Sequence, residues 1–122
     1  MAEVLVVRVY EDQGRSGTEY RVLVDRLWPR GIAKEALRLD QWLKQIAPST
    51  QLRQWFRHDP EKWEEFQRRY FSELDQQPQA IEDLRKLLSQ GRVTFVFSAR
   101  DPQHNNAVVL RRYLSERKPT SK

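Results

Sequence analysis

Three short apolar runs constrain the fold of this chain more than any other feature: Val4-Leu5-Val6-Val7, Val22-Leu23-Val24 and Val93-Thr94-Phe95-Val96-Phe97. Side chains on a strand point alternately to opposite faces, so a strand exposed on one side alternates apolar with polar residues. These runs are apolar at both alternating positions, the pattern of strands covered on both faces in a layered α/β domain. The first predicts a strand reaching as far as Tyr10, and the second a strand reaching Leu27.

The connections narrow the topology. Residues 11–19 (EDQGRSGTE) are polar, carry two glycines and are too short for a helical crossover. They predict a loop with a mobile tip, and leave the first two strands either a long hairpin or a parallel pair with an irregular link. The second connection is helical. Pro48-Ser49 opens a helix carrying Leu52, Trp55 and Phe56, and Asp59-Pro60 opens one carrying Trp63, Phe66, Tyr70 and Leu74. Pro78 interrupts, a third helix carries Ile81, Leu84 and Leu88, and Gly91 is the expected left-handed C-cap. Ala107, Leu110 and Leu114 mark a last helix. Trp42 precedes the helices and is expected to pack beneath them. The order β-β-α-α-α-β-α defines an α/β domain with a small, mainly parallel sheet of about three strands flanked by four helices. A helix-filled crossover makes the second and third strands parallel, with their carboxyl ends on one edge. At 122 residues the chain suits one domain, read as residues 1–116, followed by a basic tail at 117–122 that begins with Arg117 and Lys118.

Composition excludes several kinds of chemistry. There is no cysteine, which removes disulfides, thiolate nucleophiles and thiolate-bound zinc. Only His58 and His104 offer imidazole, far apart in sequence, so neither a metal nor a cofactor is expected. The opening MAEVLVVRVY has no basic leader pattern, and no apolar run nears the ~20 residues of a membrane span. The cytoplasm is the expected location and a membrane is not an expected partner. The net charge of +5 favours anionic partners without choosing among them.

Two polar loops interrupt the apolar pattern. The first is Asp25-Arg26-Leu27-Trp28-Pro29-Arg30-Gly31, followed by Lys34 and Glu35. The second runs from Ser98 through Arg100, Asp101 and His104 to Asn105 and Asn106, at the start of the last helix. Burying a polar group without a partner costs roughly 2–7 kcal/mol, so each of these charges needs compensation. Ligands of open α/β sheets bind outside the carboxyl ends of the strands, where both loops lie if the strands are parallel. On that reading Arg26, Arg30, Lys34, Arg100, His104 and Asn105 form a ligand-binding group, closed by the amino end of the last helix. His104 and Asp25 are the catalytic candidates. The competing reading is a structural ion network, with Asp25 paired to Arg100 or Asp101 to Arg26. Ser98 lacks the G-x-S-x-G setting of a serine nucleophile, and His58 reads as a turn residue.

The same loops carry a family resemblance. VLVDRLWPRG, LD-x-W-x-K-x-IAPS, LR-x-WF, HDP-x-x-W-x-x-F-x-x-RY and SARD-x-x-HNNA-x-x-L resemble the YeaO-like family, spanning roughly Val4 to Leu114. These are small bacterial cytoplasmic proteins in a superfamily known as a domain of unknown function. The resemblance implies an α/β domain and supplies no activity. It also implies a strand end bearing Asp-x-Arg and a later cysteine-containing loop. Here Asp25 and Arg26 are adjacent, and Ser98 stands in the region of the cysteine, so thiol chemistry does not carry over.

Three functions follow, in order of preference. The first is binding, or conversion, of a phosphate-bearing or other anionic small ligand at the strand ends. The second is a nucleic-acid-binding module using Arg111, Arg112 and the tail, although no DNA- or RNA-binding signature is visible. The third is a structural or interaction protein with a buried ion network. The sequence leaves the oligomeric state open.

Overall fold

A computed structural model describes residues 4–11 and 19–117. Its strands are β1 (Val4–Arg8), β2 (Tyr20–Leu23), β3 (Gln41–Trp42) and β4 (Val93–Phe97). Its α-helices are α1 (Lys34–Leu37), α2 (Thr50–Phe56), α3 (Trp63–Asp75), α4 (Pro78–Ser89) and α5 (Asn106–Glu116). The sheet is wholly parallel in the order β1-β4-β2-β3, with Val4 opposite Val93, Tyr20 opposite Val93 and Val22 opposite Gln41. The expected parallel pairing of the second and third apolar runs is therefore present. The choice left open for the first two runs also resolves: they are parallel, and each pairs with β4 rather than with the other. The tip of the loop between them, residues 12–18, lies outside the described residues.

The sheet has two unequal covers. Val22, Val24, Val93, Phe95 and Phe97 turn one face toward a single apolar core shared with α2 to α5, including Phe56, Phe66, Tyr70, Leu84 and Leu110. Leu23 and Val96 turn the other way, onto Val9, Leu37, Trp28 and Trp42. All four long helices thus share one face, and the segment from Trp28 to Trp42 covers the other. Trp42 does not pack beneath the helices: it lies on β3, on the opposite side of the sheet, with its ring 5.4 Å from that of Trp28. β3 and α1 add a strand and a short helix to the three and four expected, and both are too short to leave a periodic signal.

Local chemistry explains the helix ends. The Ser49 hydroxyl accepts from Leu52 N at 3.0 Å and donates to Glu73 Oε2 at 2.6 Å, while Ser49 N donates to Glu73 Oε1 at 2.8 Å. This N-cap also ties α2 to α3. Pro60 opens a single 3-10 turn, and the α-helix begins at Trp63. α4 ends at Ser89 with Gln90 as its C-cap, and Gly91 follows at φ 152°, a positive-φ position that disfavours residues with a Cβ but lies away from the αL angle expected of the cap. β2 and β1 end at Leu23 and Arg8, short of Leu27 and Tyr10, so both polar loops begin earlier than the apolar pattern indicated.

Candidate functional site

The polar loops meet at the carboxyl edge of the sheet, where Asp25 joins three elements. Its Oδ2 accepts from Ser98 N at 2.9 Å and from the Ser98 hydroxyl at 2.7 Å. Its Oδ1 accepts from Asn106 Nδ2 at 3.1 Å, and the same amide donates to Val24 O at 2.8 Å. The ends of β2 and β4 and the first turn of α5 are thereby tied together. Burial raises the Asp25 pKa above the ordinary carboxylate value, outweighing the hydrogen bonds from Ser98 and Asn106 and the nearby Arg53 charge. The Ser98 hydroxyl is occupied by this carboxylate.

The tryptophans hold the first loop through its backbone. Trp42 Nε1 donates to Asp25 O at 2.7 Å, and Trp28 Nε1 donates to Ile32 O at 2.6 Å. Arg26 donates from Nε to Pro48 O at 3.0 Å and from Nη2 to Ala47 O at 3.2 Å, so its fork binds the segment entering α2. The Tyr10 hydroxyl donates to Arg30 O at 2.9 Å, and Arg8 Nε donates to Ala99 O at 2.8 Å.

The second loop is organised by Asp101. Its Oδ1 accepts from Gln103 N at 2.9 Å and His104 N at 3.1 Å, and its Oδ2 lies 2.8 Å from His104 Nδ1. These contacts, led by the Gln103 N–H, hold the Asp101 carboxyl below its usual range. Asn105 caps α5 by accepting from Val108 N at 3.0 Å. The N–H groups of 103, 104 and 108 are thus already used, and cations rather than a bare helix end must supply most of any anion attraction. His104 sits edge-on to Trp63 at 4.9 Å, with Nδ1 against the Asp101 carboxylate.

Together these groups line a cavity of about 750 Å³. Asp25, Arg26, Arg30, Arg100, His104 and Asn105 all border it, whereas Lys34 does not: it begins α1. Arg26, through Nε and Nη2, and Asn105, through both atoms of its amide, bind the fold itself. Neither structural ion pair considered from the sequence forms, since Asp25 binds Ser98 and Asn106 while Asp101 binds His104. Sequence reasoning missed Arg53, Tyr10 and Leu27 and passed over His58, all on the cavity wall. Arg53 stands three residues before Phe56, whose ring also borders the cavity, and that helical spacing was the available signal. Both histidines of the chain line this one cavity. His58 and its neighbour Arg57 have φ 57° and 49°, consecutive left-handed residues at the end of α2. Among the described residues, no group of three or more His, Asp or Glu side chains could hold a metal ion. No helix there is long and apolar enough to cross a membrane.

The fold and site define a small α/β domain with a wholly parallel sheet and a polar cavity at its carboxyl edge, and comparison with known proteins shows its family. Residues 3–122 match the family described as the inactive DUF488-N3 subclade, and the chain belongs to that family. It is 44% identical over 114 residues to the uncharacterised protein Rv3073c of Mycobacterium tuberculosis, covering 93% of this chain and 95% of that one. It is 41% identical over 107 residues to the uncharacterised protein YeaO of Escherichia coli, covering 88% and 92%. The YeaO-like resemblance is thus supported over most of the chain. No solved structure matches it.

Proposed function

We propose that this protein binds a phosphate-bearing or other anionic small ligand in the cavity at the carboxyl edge of its sheet, as a binding protein rather than a catalyst. The observation that carries this reading is the charge of the wall. Arg30, Arg53 and Arg100 border one cavity, and their guanidinium groups have no hydrogen bond or ion pair among the described residues. The two acids beside them, Asp25 and Asp101, are engaged by Ser98, Asn106 and His104. A binding role fits the description of the family as inactive and the commitment of the Ser98 hydroxyl to Asp25. The nucleic-acid reading draws less support, because Arg112 is paired with Glu116 and Arg117 with Asp75 on the helix exterior.

The test is calorimetric titration of the full chain with inorganic phosphate and phosphorylated metabolites. A charge-assisted hydrogen bond is worth about 1.5–3 kcal/mol net, so Arg100→Ala should weaken a bound anion by about one to two orders of magnitude. Absence of any heat across such a panel would remove the reading.

A further inference from the structure

We infer that the ligand of this cavity carries a planar, weakly polar ring as well as its anionic group, and that its chemistry is that of a nucleoside monophosphate. The inference rests on the anion-binding reading above and extends it through a separate observation. Among the described residues, only two large hydrophobic side chains are exposed: Tyr10 at 44% and Leu27 at 58%. Both line the candidate cavity. They come from different elements, Tyr10 from the turn after β1 and Leu27 from the loop after β2, and the sheet brings them to one edge. Exposed apolar side chains gathered on a concave surface mark a place where something apolar binds.

The rest of the cavity agrees with a two-part ligand. Its volume of about 750 Å³ is far more than a bare phosphate needs. It falls in the roughly 300–1,000 Å³ range of sites that enclose whole small molecules. The cations come from three segments, Arg100 from the loop after β4, Arg53 from α2 and Arg30 from the loop that bears Leu27. The Tyr10 ring is fixed, since its hydroxyl is bonded to Arg30 O and the Arg8 guanidinium lies 4.7 Å from its centroid. His58 and His104 extend the aromatic cluster of Phe56, Trp63 and Phe66 to the wall of the same cavity. A flat heterocycle has apolar and aromatic surface to meet there, and a phosphate has guanidinium groups.

Titration calorimetry of the full chain with adenosine monophosphate, ribose 5-phosphate, inorganic phosphate and adenosine separates the two parts. Adenosine monophosphate should bind at least about tenfold more tightly than ribose 5-phosphate, the increment expected of one stacked base. Leu27→Ser removes apolar area that would cover the base and should weaken adenosine monophosphate several-fold while leaving ribose 5-phosphate unaffected. Tyr10→Ala is the companion variant; Leu27→Ser keeps the test valid if loss of the Tyr10–Arg30 bond unfolds the loop. A 5′-phosphorylated oligonucleotide that binds more tightly than the mononucleotide, with the same Leu27→Ser loss, would support the ring-and-phosphate chemistry and identify a strand end as its source. If ribose 5-phosphate binds as tightly as adenosine monophosphate, the ring is refuted and the anion site stands. If no phosphate compound binds at all, the underlying anion reading fails with it.

Discussion

Arginines in two regions of this molecule meet different circumstances. On the outer faces of α3 and α5 they are matched: Arg68 and Arg69 with Glu65, Arg112 with Glu116, and Arg117 with Asp75. Several also rest on aromatic rings, Arg69 4.1 Å from the Trp55 centroid and Arg117 5.3 Å from that of Phe71. At the carboxyl edge of the sheet, Arg30, Arg53 and Arg100 share a cavity with no hydrogen bond or ion pair to an acid among the described residues, although Asp25 feels the charge of Arg53. Arg68, Arg69 and Arg112 find their acids one turn away on the same helix, and Arg117 finds Asp75 on the neighbouring one. Arg30 and Arg100 lie in strand-end loops, and Arg53 on α2 has no acid three or four residues away, while Asp25 is used in fastening the sheet to α5 and Asp101 in holding its own loop. The net charge of +5 is therefore less informative than its distribution: the matched arginines are solvated surface, and those at the cavity are the ones on which the proposed anion binding rests.

The largest effect is expected at Asp25, the fastening itself. Asp25→Ala leaves three donors from Ser98 and Asn106 without their acceptor and should cost about 3 kcal/mol of stability, read from denaturant or thermal unfolding. A cost near zero would mean that the cavity floor is not held as described. Asp25→Asn isolates the charge. Because burial raises the folded-state pKa of Asp25, the folded chain takes up this proton more readily than the unfolded one. The contribution of Asp25 is thus greatest at low pH and declines as pH rises through its folded pKa. Wild type should lose stability relative to Asp25→Asn as pH rises from about 4 toward neutrality. Asp75 and Asp101 have the opposite sign: their depressed pKa values stabilise the fold above the ordinary carboxylate range, and that contribution disappears on acidification.

Next come the two arginines that flank Asp25 in function. Arg53→Ala should weaken anion binding by about tenfold or more with little change in unfolding, because its guanidinium makes no hydrogen bond and acts on Asp25 only through its charge. Arg26→Ala should do the reverse: it frees the Pro48 and Ala47 carbonyls and should cost about 1–2 kcal/mol of stability, with anion affinity nearly retained. If Arg26→Ala abolishes binding at unchanged stability, the assignment of roles is inverted. The smallest effect is expected on the exterior, where Arg112→Ala should leave both melting temperature and anion affinity almost unchanged. A loss of affinity there would bring the nucleic-acid reading forward.

What could be read from the sequence follows from which properties are periodic. Apolarity on both strand faces and a helical crossover are local patterns, and they led to the parallel pairing of β2 with β4 and to both polar loops lying on one edge. Asp25, Arg30, Arg100 and His104 were brought to one cavity for that reason. Past a strand's last residue the two-residue period lapses, and side-chain direction depends on whichever carbonyl or carboxylate lies near. Arg26 accordingly turned to Pro48 and Ala47, and Lys34 went to the start of α1 outside the cavity. Arg53 was hidden because an arginine on an exposed helix position resembles ordinary surface charge until the helix is placed against the sheet edge. Trp42 was assigned to the wrong side because a two-residue edge strand is too short to display which face it presents.

The most direct measurement is the melting of wild type and of Arg53→Ala/Arg100→Ala, each with and without a saturating phosphorylated ligand. Without ligand the two proteins should melt together, since neither guanidinium holds the fold. With ligand at about 100 times its dissociation constant, wild type should gain about 2.7 kcal/mol of stability and the double variant close to none. A double variant that is destabilised in the absence of ligand, beside a wild type indifferent to every phosphate compound offered, would contradict the central claim and make these arginines part of the scaffold.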